Sequence, residues 1–440
     1  MLPVIALVGR PNVGKSTLFN FLTRSRDALV SDMPGLTRDR QYGYGRVGDK
    51  PFIVVDTGGL TDNRDGVEFL MARQTLLVLE EADRLFFMVD GREGLSSRDE
   101  QVADVVRRSG KPVILVVNKS EGQAPEMVTA EFASLGIPHV EAVSAAHGQN
   151  IKPMLEGALA EFAPRLKNSD KKQESIRVAV IGRPNVGKST LINRLVGEER
   201  VLAFDEPGTT RDSVEVPFER DGRQYTLIDT AGVRRRARVT EKIEKFSVVK
   251  TLQAIDEANV VILMLDAQAG ITDQDASLAG LTINRGRAMV VAVNKWDGLK
   301  PDEREEIKRK MDLKLRFMDF APTHFISALR GTNVDNVVDS VDAGYCAAFA
   351  DMATPRLTRV LEDAVLAHQP PLVSGRRIRL RYAHQGGRNP PVIVVHGSQI
   401  NRLPGSYKRY LTNTFRKAFK LHGTPVRIEL RSGRNPYVEK

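Results

Sequence analysis

Two ten-residue stretches of this 440-residue chain carry the same chemistry. Gly9-Arg10-Pro11-Asn12-Val13-Gly14-Lys15-Ser16-Thr17-Leu18 recurs letter for letter as Gly182-Arg183-Pro184-Asn185-Val186-Gly187-Lys188-Ser189-Thr190-Leu191. Gly-x-x-x-x-Gly-Lys-Ser after a strand and before a helix is a phosphate-binding loop. Its glycines admit a tight turn in which successive backbone N–H groups face the phosphates. The helix that follows adds the partial positive charge of its N-terminus. Lys15 and Lys188 are expected to reach the terminal phosphates, and Ser16 and Ser189 to present a hydroxyl to Mg2+.

The offset of 173 residues carries further matches. Pro34-Gly35-Leu36-Thr37-Arg38-Asp39 stands against Pro207-Gly208-Thr209-Thr210-Arg211-Asp212, and Asp56-Thr57-Gly58-Gly59 against Asp229-Thr230-Ala231-Gly232. Asp56 and Asp229 end apolar runs, where a carboxylate can hold Mg2+ through its water shell. Thr37 and Thr210 offer the metal a second hydroxyl, from loops expected to order only when a γ-phosphate is present. The N–H groups of Gly59 and Gly232 are placed to sense that phosphate. Any one of these alone would read as a turn or cap residue, and the shared offset reverses that reading. The candidate catalytic residues are Lys15, Thr37, Gly59, Lys188, Thr210 and Gly232. The candidate magnesium ligands are Ser16, Thr37, Asp56, Ser189, Thr210 and Asp229.

A third set selects the base. Asp90 matches Asp266, and Asn118-Lys119 matches Asn294-Lys295, at an offset of 176. Asn-Lys-x-Asp after a strand is the guanine signal. An ionised carboxylate accepts from the ring N–H and the exocyclic amine of guanine together; adenine has no such donor pair and would leave the acid buried and unpaired. The second copy, Asn294-Lys295-Trp296-Asp297, is intact. The first reads Asn118-Lys119-Ser120-Glu121, whose acid is longer by one methylene and keeps the charge. Ser144-Ala145 and Ser327-Ala328 follow, and an alanine N–H there can bond the guanine carbonyl oxygen.

Alternating strands and helices must position these residues. Val4 to Val8, Phe52 to Val55, Leu85 to Val89 and Val113 to Val117 are apolar runs of strand length. Val178 to Ile181, Tyr225 to Ile228, Val260 to Leu265 and Met289 to Val293 are their counterparts, and helices are predicted to start at Lys15 and Lys188. Runs apolar on both faces suit parallel strands covered by helices. The fold class is α/β, with two tandem doubly wound sheets whose ligands sit beyond the carboxyl ends of the strands. Residues 1–163 and 176–353 form the two copies. The polar stretch 164–175 reads as a linker. Residues 354–440 form a small α+β unit with strands at Ile378 to Tyr382, Val392 to Val395 and Pro425 to Leu430, and a basic helix from Tyr407 to Leu421.

The net charge of +10 is unevenly spread. Residues 354–440 hold 17 Lys/Arg and 4 Asp/Glu, so the rest of the chain is slightly acidic. A polyanion partner for that segment, or simply a solvated basic surface, accounts for this. Cys346 alone excludes an internal disulfide framework and fits a cytoplasmic protein. The apolar run at the N-terminus lacks a basic flank and is too short for a secretory leader. No run of about 18 apolar residues suggests a membrane span.

The motif set is similar to that of the translation-factor-related GTPases. Two copies followed by a short basic segment resemble the Der (EngA) family of bacterial double-Era-like GTPases, over essentially the whole chain. The resemblance implies hydrolysis of GTP to GDP by both copies, Mg2+ dependence, and a monomer acting in assembly of the large ribosomal subunit and touching its ribosomal RNA. It also implies a KH-like C-terminal fold, although the segment has no Gly-x-x-Gly clamp. Phosphate and ribose contacts from Arg376, Arg377, Arg379, Lys408, Arg409 and Arg416 are then expected in place of base reading. Tyr407 and Tyr410 either stack on bases or pack in the core.

Where Ras-like enzymes place a water-orienting glutamine, this chain has Leu60 and Val233, which cannot hydrogen-bond. Slow intrinsic hydrolysis follows. Relatives with an asparagine at the place of Asn12 and Asn185 use a bound potassium ion, and the resemblance implies the same here; the alternative is that both side chains brace the loop. Arg234-Arg235-Arg236-Ala237-Arg238 is either a contact for RNA or another domain, or a solvated loop. Two other classes compete with the GTPase switch: a membrane-associated regulatory GTPase, against which stands the absence of a span or lipidation signal, and an RNA-binding scaffold with inert nucleotide sites, against which stand Lys15, Ser16, Lys188 and Ser189.

Overall fold

The computed structural model describes residues 2–23, 41–57, 78–162, 175–197, 215–228, 248–373 and 376–432. In the first copy the described elements are β1 (Val4–Val8), α1 (Lys15–Thr23), β2 (Gln41–Tyr44), β3 (Ile53–Asp56), β4 (Arg84–Asp90), α2 (Ser97–Arg108), β5 (Val113–Asn118), α3 (Pro125–Ala130), β6 (Val140–Ala142) and α4 (Ile151–Ala158). Every residue of β1 and β3 is buried. Strands covered on both faces explain why these runs lack a polar alternation. The sheet order is β2-β3-β1-β4-β5-β6, parallel except for β2, which pairs antiparallel with β3. Chain order reverses around β1, so its carboxyl end opens on the crevice where such sheets hold ligands.

The second copy repeats this plan with β7 (Ser175–Ile181), α5 (Lys188–Val196), β8 (Val216–Arg220), β9 (Arg223–Ile228), α6 (Val248–Glu257), β10 (Val260–Asp266), α7 (Asp273–Arg285), β11 (Ala288–Asn294), α8 (Pro301–Lys314), β12 (Thr323–Phe325) and α9 (Val334–Ala348). Its sheet order is β12-β11-β10-β7-β9-β8, with β8 as the antiparallel edge. The helix starts at Lys15 and Lys188 fall where the loop motif requires them. The edge strands β2 and β8 were not expected from the apolar runs, because their sequences, QYGY and VPFER, are mixed.

The C-terminal segment contributes α10 (Thr354–Ala367), the short pair β13 (Leu372–Val373) and β14 (Arg376–Arg377), then β15 (Arg379–Gly387), β16 (Val392–Ser398), α11 (Gly405–Phe419) and β17 (Arg427–Ser432). β16 pairs antiparallel with β15 and parallel with β17. Leu357, Leu361, Ala383, Ile393, Val395, Leu411, Phe415 and Ile428 form its core between the sheet and the two helices. This segment and the second copy lie in one packing unit, and the first copy belongs to another. The Met289 N–H at the start of β11 donates to Gly423 O at 2.7 Å, the Gly423 N–H to Phe320 O at 2.9 Å, and the Asn389 N–H to Ala348 O at 2.9 Å. Gly423 has a φ of 73°, and a Cβ there would stand 3.2 Å from Gly344 Cα. Only glycine meets both demands without strain.

Candidate nucleotide sites

The loop between β1 and α1 is built by close approach. A Cβ on Gly9 would lie 2.4 Å from Met88 O, and one on Gly182 would lie 2.5 Å from Met264 O. Gly14 and Gly187 take φ of 98° and 102° and meet the side-chain amides of Asn118 and Asn294 at 2.2 and 2.3 Å by the same construction. Lys15 is 4% exposed, and its Nζ donates to Gly9 O and Arg10 O, both at 2.7 Å. Burial pushes its pKa down to about 8, against the opposing pull of Asp56, with Arg10 adding to the fall. A buried lysine curled back on its own loop carbonyls is suited to an arriving polyphosphate. Lys188 repeats the arrangement, donating to Gly182 O at 3.1 Å and Arg183 O at 2.8 Å.

Ser16 Oγ donates to Asp56 Oδ2 at 2.8 Å, and Asp56 is buried. A hydroxyl and a carboxylate facing each other are hard oxygen donors of the kind Mg2+ accepts, one from the loop and one from the end of β3. Thr57 is fully buried, and its hydroxyl donates to Leu7 O at 2.7 Å. It braces β1 against β3 and does not face the loop. Asn12 and Asn185 take φ of 66° and 63°, a left-handed turn that asparagine tolerates. Asn12, Ser16 and Thr17 are exposed, Pro11 is half-buried and Val13 is in the core. In the second copy Pro184, Ser189 and Thr190 are half-buried. Thr37, Gly58, Gly59, Leu60, Thr210, Asp229, Thr230, Ala231, Gly232, Val233 and the arginine run from Arg234 to Arg238 lie outside the described residues.

The loop arginines are held by carboxylates. Arg10 Nη1 pairs with Glu93 at 2.7 Å and its Nε with Asp99 at 3.3 Å. Arg183 Nε pairs with Asp275 at 2.9 Å, and its Nη2 donates to Gly270 O. Asp99 and Asp275 are fully buried and close capping boxes with Ser96 and Thr272 at the starts of α2 and α7. Sequence reasoning missed both carboxylates. Their signal was present as Ser-x-x-Asp and Thr-x-x-Asp before a helix.

Asn118 and Asn294 are buried staples. Asn118 Nδ2 donates to Val13 O at 2.7 Å, and its Oδ1 accepts from the Ala145 N–H at 2.9 Å. Asn294 does the same with Val186 O and the Ala328 N–H, at 2.8 and 2.9 Å. Each side chain thus ties the phosphate loop to the Ser-Ala loop. The alanine N–H expected to read the base is engaged by the asparagine, so a guanine oxygen would share it. Lys119 Nζ donates to Asp90 at 2.5 Å, and Lys295 pairs with Asp266 and donates to Asn185 O at 3.1 Å. Burial alone would raise the Asp90 pKa, but the Lys119 hydrogen bond and the N–H groups of Arg92 and Glu93 more than offset it and lower it. Ser120 bonds Val143 O, Glu121 pairs with Arg92, and Trp296 packs on Phe325 with ring centroids 4.1 Å apart. Asp297 pairs with Arg330 at 2.9 Å. Ser144 and Ser327 are buried.

In the second copy these pieces enclose a cleft of about 400 Å3 lined by Lys188, Ser189, Asn294, Lys295, Asp297 and Ser327, among others. The candidate phosphate-binding and base-selecting residues thus share one cavity of nucleotide size.

In the basic segment the tyrosines take the core-packing alternative. Tyr407 is buried with its hydroxyl donating to His368 O, and burial raises its pKa to about 12. Tyr410 donates to Ala364 O at 3.0 Å and packs partly against the core. Both join α11 to α10. Arg416 pairs with Asp319 at 3.3 Å and lies over the Phe320 ring, so it serves the contact with the second copy. Arg379, Lys408 and Arg409 are exposed; the side chains of Arg376 and Arg377 lie outside the description.

Comparison with known proteins follows the same division. The family model described as 50S ribosome-binding GTPase matches residues 4–119 and again 177–295. The one described as KH-domain-like of EngA bacterial GTPase enzymes, C-terminal, matches residues 352–431. The chain is 59% identical over 442 residues to GTPase Der of Thioalkalivibrio sulfidiphilus, covering 100% of this chain and 95% of that one. It is 57% identical over 444 residues to GTPase Der of Paraburkholderia phytofirmans, covering 100% of both.

Proposed function

Since the chain belongs to the GTPase Der family, and so is a GTPase with two nucleotide domains and a KH-like C-terminal domain, we propose that it acts as a nucleotide-driven switch in assembly of the large ribosomal subunit. In this reading Lys15 and Lys188, with the loop N–H groups, bind the phosphates. Glu121 and Asp297 accept from guanine. Ser16 with Asp56, and Ser189 with Asp229, hold Mg2+, joined by Thr37 and Thr210 when the triphosphate is bound. Mg2+ held by these residues would supply positive charge against the charge that develops on the phosphates. Asn12 and Asn185 hold a potassium ion that adds positive charge beside the phosphates, in place of an arginine finger.

One observation carries the switch. β11 ends at Asn294, which ties the base-selecting loop to the phosphate loop, and begins at the Met289 bond to Gly423 of the KH-like domain. A single buried strand therefore runs from the second nucleotide site to the docking contact of the basic domain. A change at the site is carried along a rigid element, while exposed Arg379, Lys408 and Arg409 supply cations for RNA phosphates. Among the described residues no helix is long and apolar enough to cross a membrane. The proposed setting is a cytoplasmic monomer.

Crosslinking of the full chain to large ribosomal subunits tests this reading. More crosslinked RNA with a non-hydrolysable GTP analogue than with GDP is the expected result. Equal recovery in both states, or pelleting with anionic vesicles in place of subunits, overturns it. Replacing potassium by sodium is expected to slow hydrolysis, and an unchanged rate removes the potassium role.

A further inference from the structure

The two base-selecting carboxylates are held by arginines from different places in the fold. In the first domain Glu121 pairs with Arg92, two residues beyond Asp90 at the end of β4. In the second domain Asp297 pairs at 2.9 Å with Arg330, three residues beyond Ser327 in the loop after β12. The internal repeat makes the comparison exact to the residue. The position of Arg92 is filled in the second copy by Gln268, and that of Arg330 is filled in the first by His147. Gln268 lines the second cleft beside Asp297. Each domain thus has one arginine on its carboxylate and a weaker or neutral side chain at the alternative position.

We propose that Arg92 and Arg330 are positioning residues for guanine, exchanged between two anchor points so that each pocket keeps one guanidinium on its selecting carboxylate. The proposal rests on the assignment of Glu121 and Asp297 to the base. The geometry favours support over obstruction. Arg92 takes a single oxygen of Glu121, Oε1. The guanidinium fixes the carboxylate through that one oxygen. Arg330 likewise takes only Asp297 Oδ2. The longer side chain of Glu121 has an extra torsion to fix, and a planar guanidinium limits that freedom. The Ser144 hydroxyl, together with the charges of Arg92 and His147, holds the Glu121 carboxyl below its usual range. The acid therefore stays an acceptor at neutral pH, as reading two N–H groups requires.

Both arginines are more than half exposed, and exposed ion pairs contribute little. The expected effect is accordingly a fewfold change in affinity, sharpest where both carboxylate oxygens are used. GDP donates from its ring N–H and its 2-amino group; inosine diphosphate lacks the amine. Binding of both, and of ADP, is measured by calorimetry on the full-length chain, with Lys188→Ala silencing the second site or Lys15→Ala the first. Arg92→Gln is expected to weaken GDP at the first site about two- to fivefold and to lower the GDP-to-inosine-diphosphate ratio. His147→Arg added to it moves the cation to the second-domain anchor and is expected to restore that ratio. Arg330→His and its rescue by Gln268→Arg are the mirror test at the second site. An equal loss for GDP and inosine diphosphate, an unchanged ratio, or tighter GDP binding overturns the proposal. A parent site that takes up ADP as well as GDP would instead refute the underlying assignment of the carboxylates.

Discussion

Ser16 Oγ and Asp56 Oδ2 stand 2.8 Å apart, joining the phosphate loop to the end of β3 through two oxygen donors. Either one alone is a common helix or strand terminus; together they form the proposed Mg2+ site. Asp56→Asn keeps the shape and removes the charge. It is expected to cut first-domain GTP hydrolysis about a hundredfold and to raise the Mg2+ concentration needed, measured in a Lys188→Ala background. A Mg2+ titration that Asp56→Asn leaves unmoved would reduce the pair to a structural brace.

Lys15 gives a pH dependence with a defined sign. Its pKa in the free protein is about 8, and bound phosphates raise it. The complex then holds more protons than the free protein above pH 8, so nucleotide affinity at the first site falls as pH rises, approaching about tenfold per unit. Calorimetry from pH 7 to about 9.5 in buffers of different ionisation enthalpy reads both the slope and the proton uptake. Folding has the opposite slope. The folded pKa lies below the ordinary value of 10.5, so the unfolded chain binds more protons between those values and the lysine's contribution to stability rises with pH across that window.

Asn294 is expected to matter for folding as well as for binding. Its Nδ2 and Oδ1 satisfy Val186 O and the Ala328 N–H in a buried setting. Asn294→Ala leaves both unpartnered and costs about 1–3 kcal/mol, read as a lower midpoint in denaturant before any nucleotide is added. An unchanged midpoint with lost affinity would mean that the side chain serves the base alone.

Gly423 offers a route to loosening the KH-like domain without touching a nucleotide site. Its positive φ and the 3.2 Å separation of a Cβ from Gly344 Cα make Gly423→Val strained by about 1–3 kcal/mol. Faster hydrogen exchange at the Met289 amide, with little change at Asn118 in the first domain, is the expected readout.

Much of the candidate site was legible because the chain repeats it. The loops at Gly9 and Gly182 and the motifs at Asn118 and Asn294 were found by offset, and the buried runs around them have no other use than a covered parallel sheet. Two features were not legible. The edge strands β2 and β8 pair antiparallel and carry mixed sequences, so no apolar run announces them. The carboxylates Asp99 and Asp275 look like ordinary helix caps until Arg10 and Arg183 are seen bound to them. The sequence left Tyr407 and Tyr410 open between base stacking and core packing; helical geometry turns their rings toward α10, where backbone oxygens of His368 and Ala364 accept their hydroxyls.

Counting nucleotides on the intact chain tests the central claim most directly. Calorimetric titration with GDP and Mg2+ is expected to give two sites per chain, falling to one in Lys15→Ala or in Lys188→Ala, with no uptake of ADP. A single site in the unaltered chain, or ADP filling both as readily as GDP, would contradict the account.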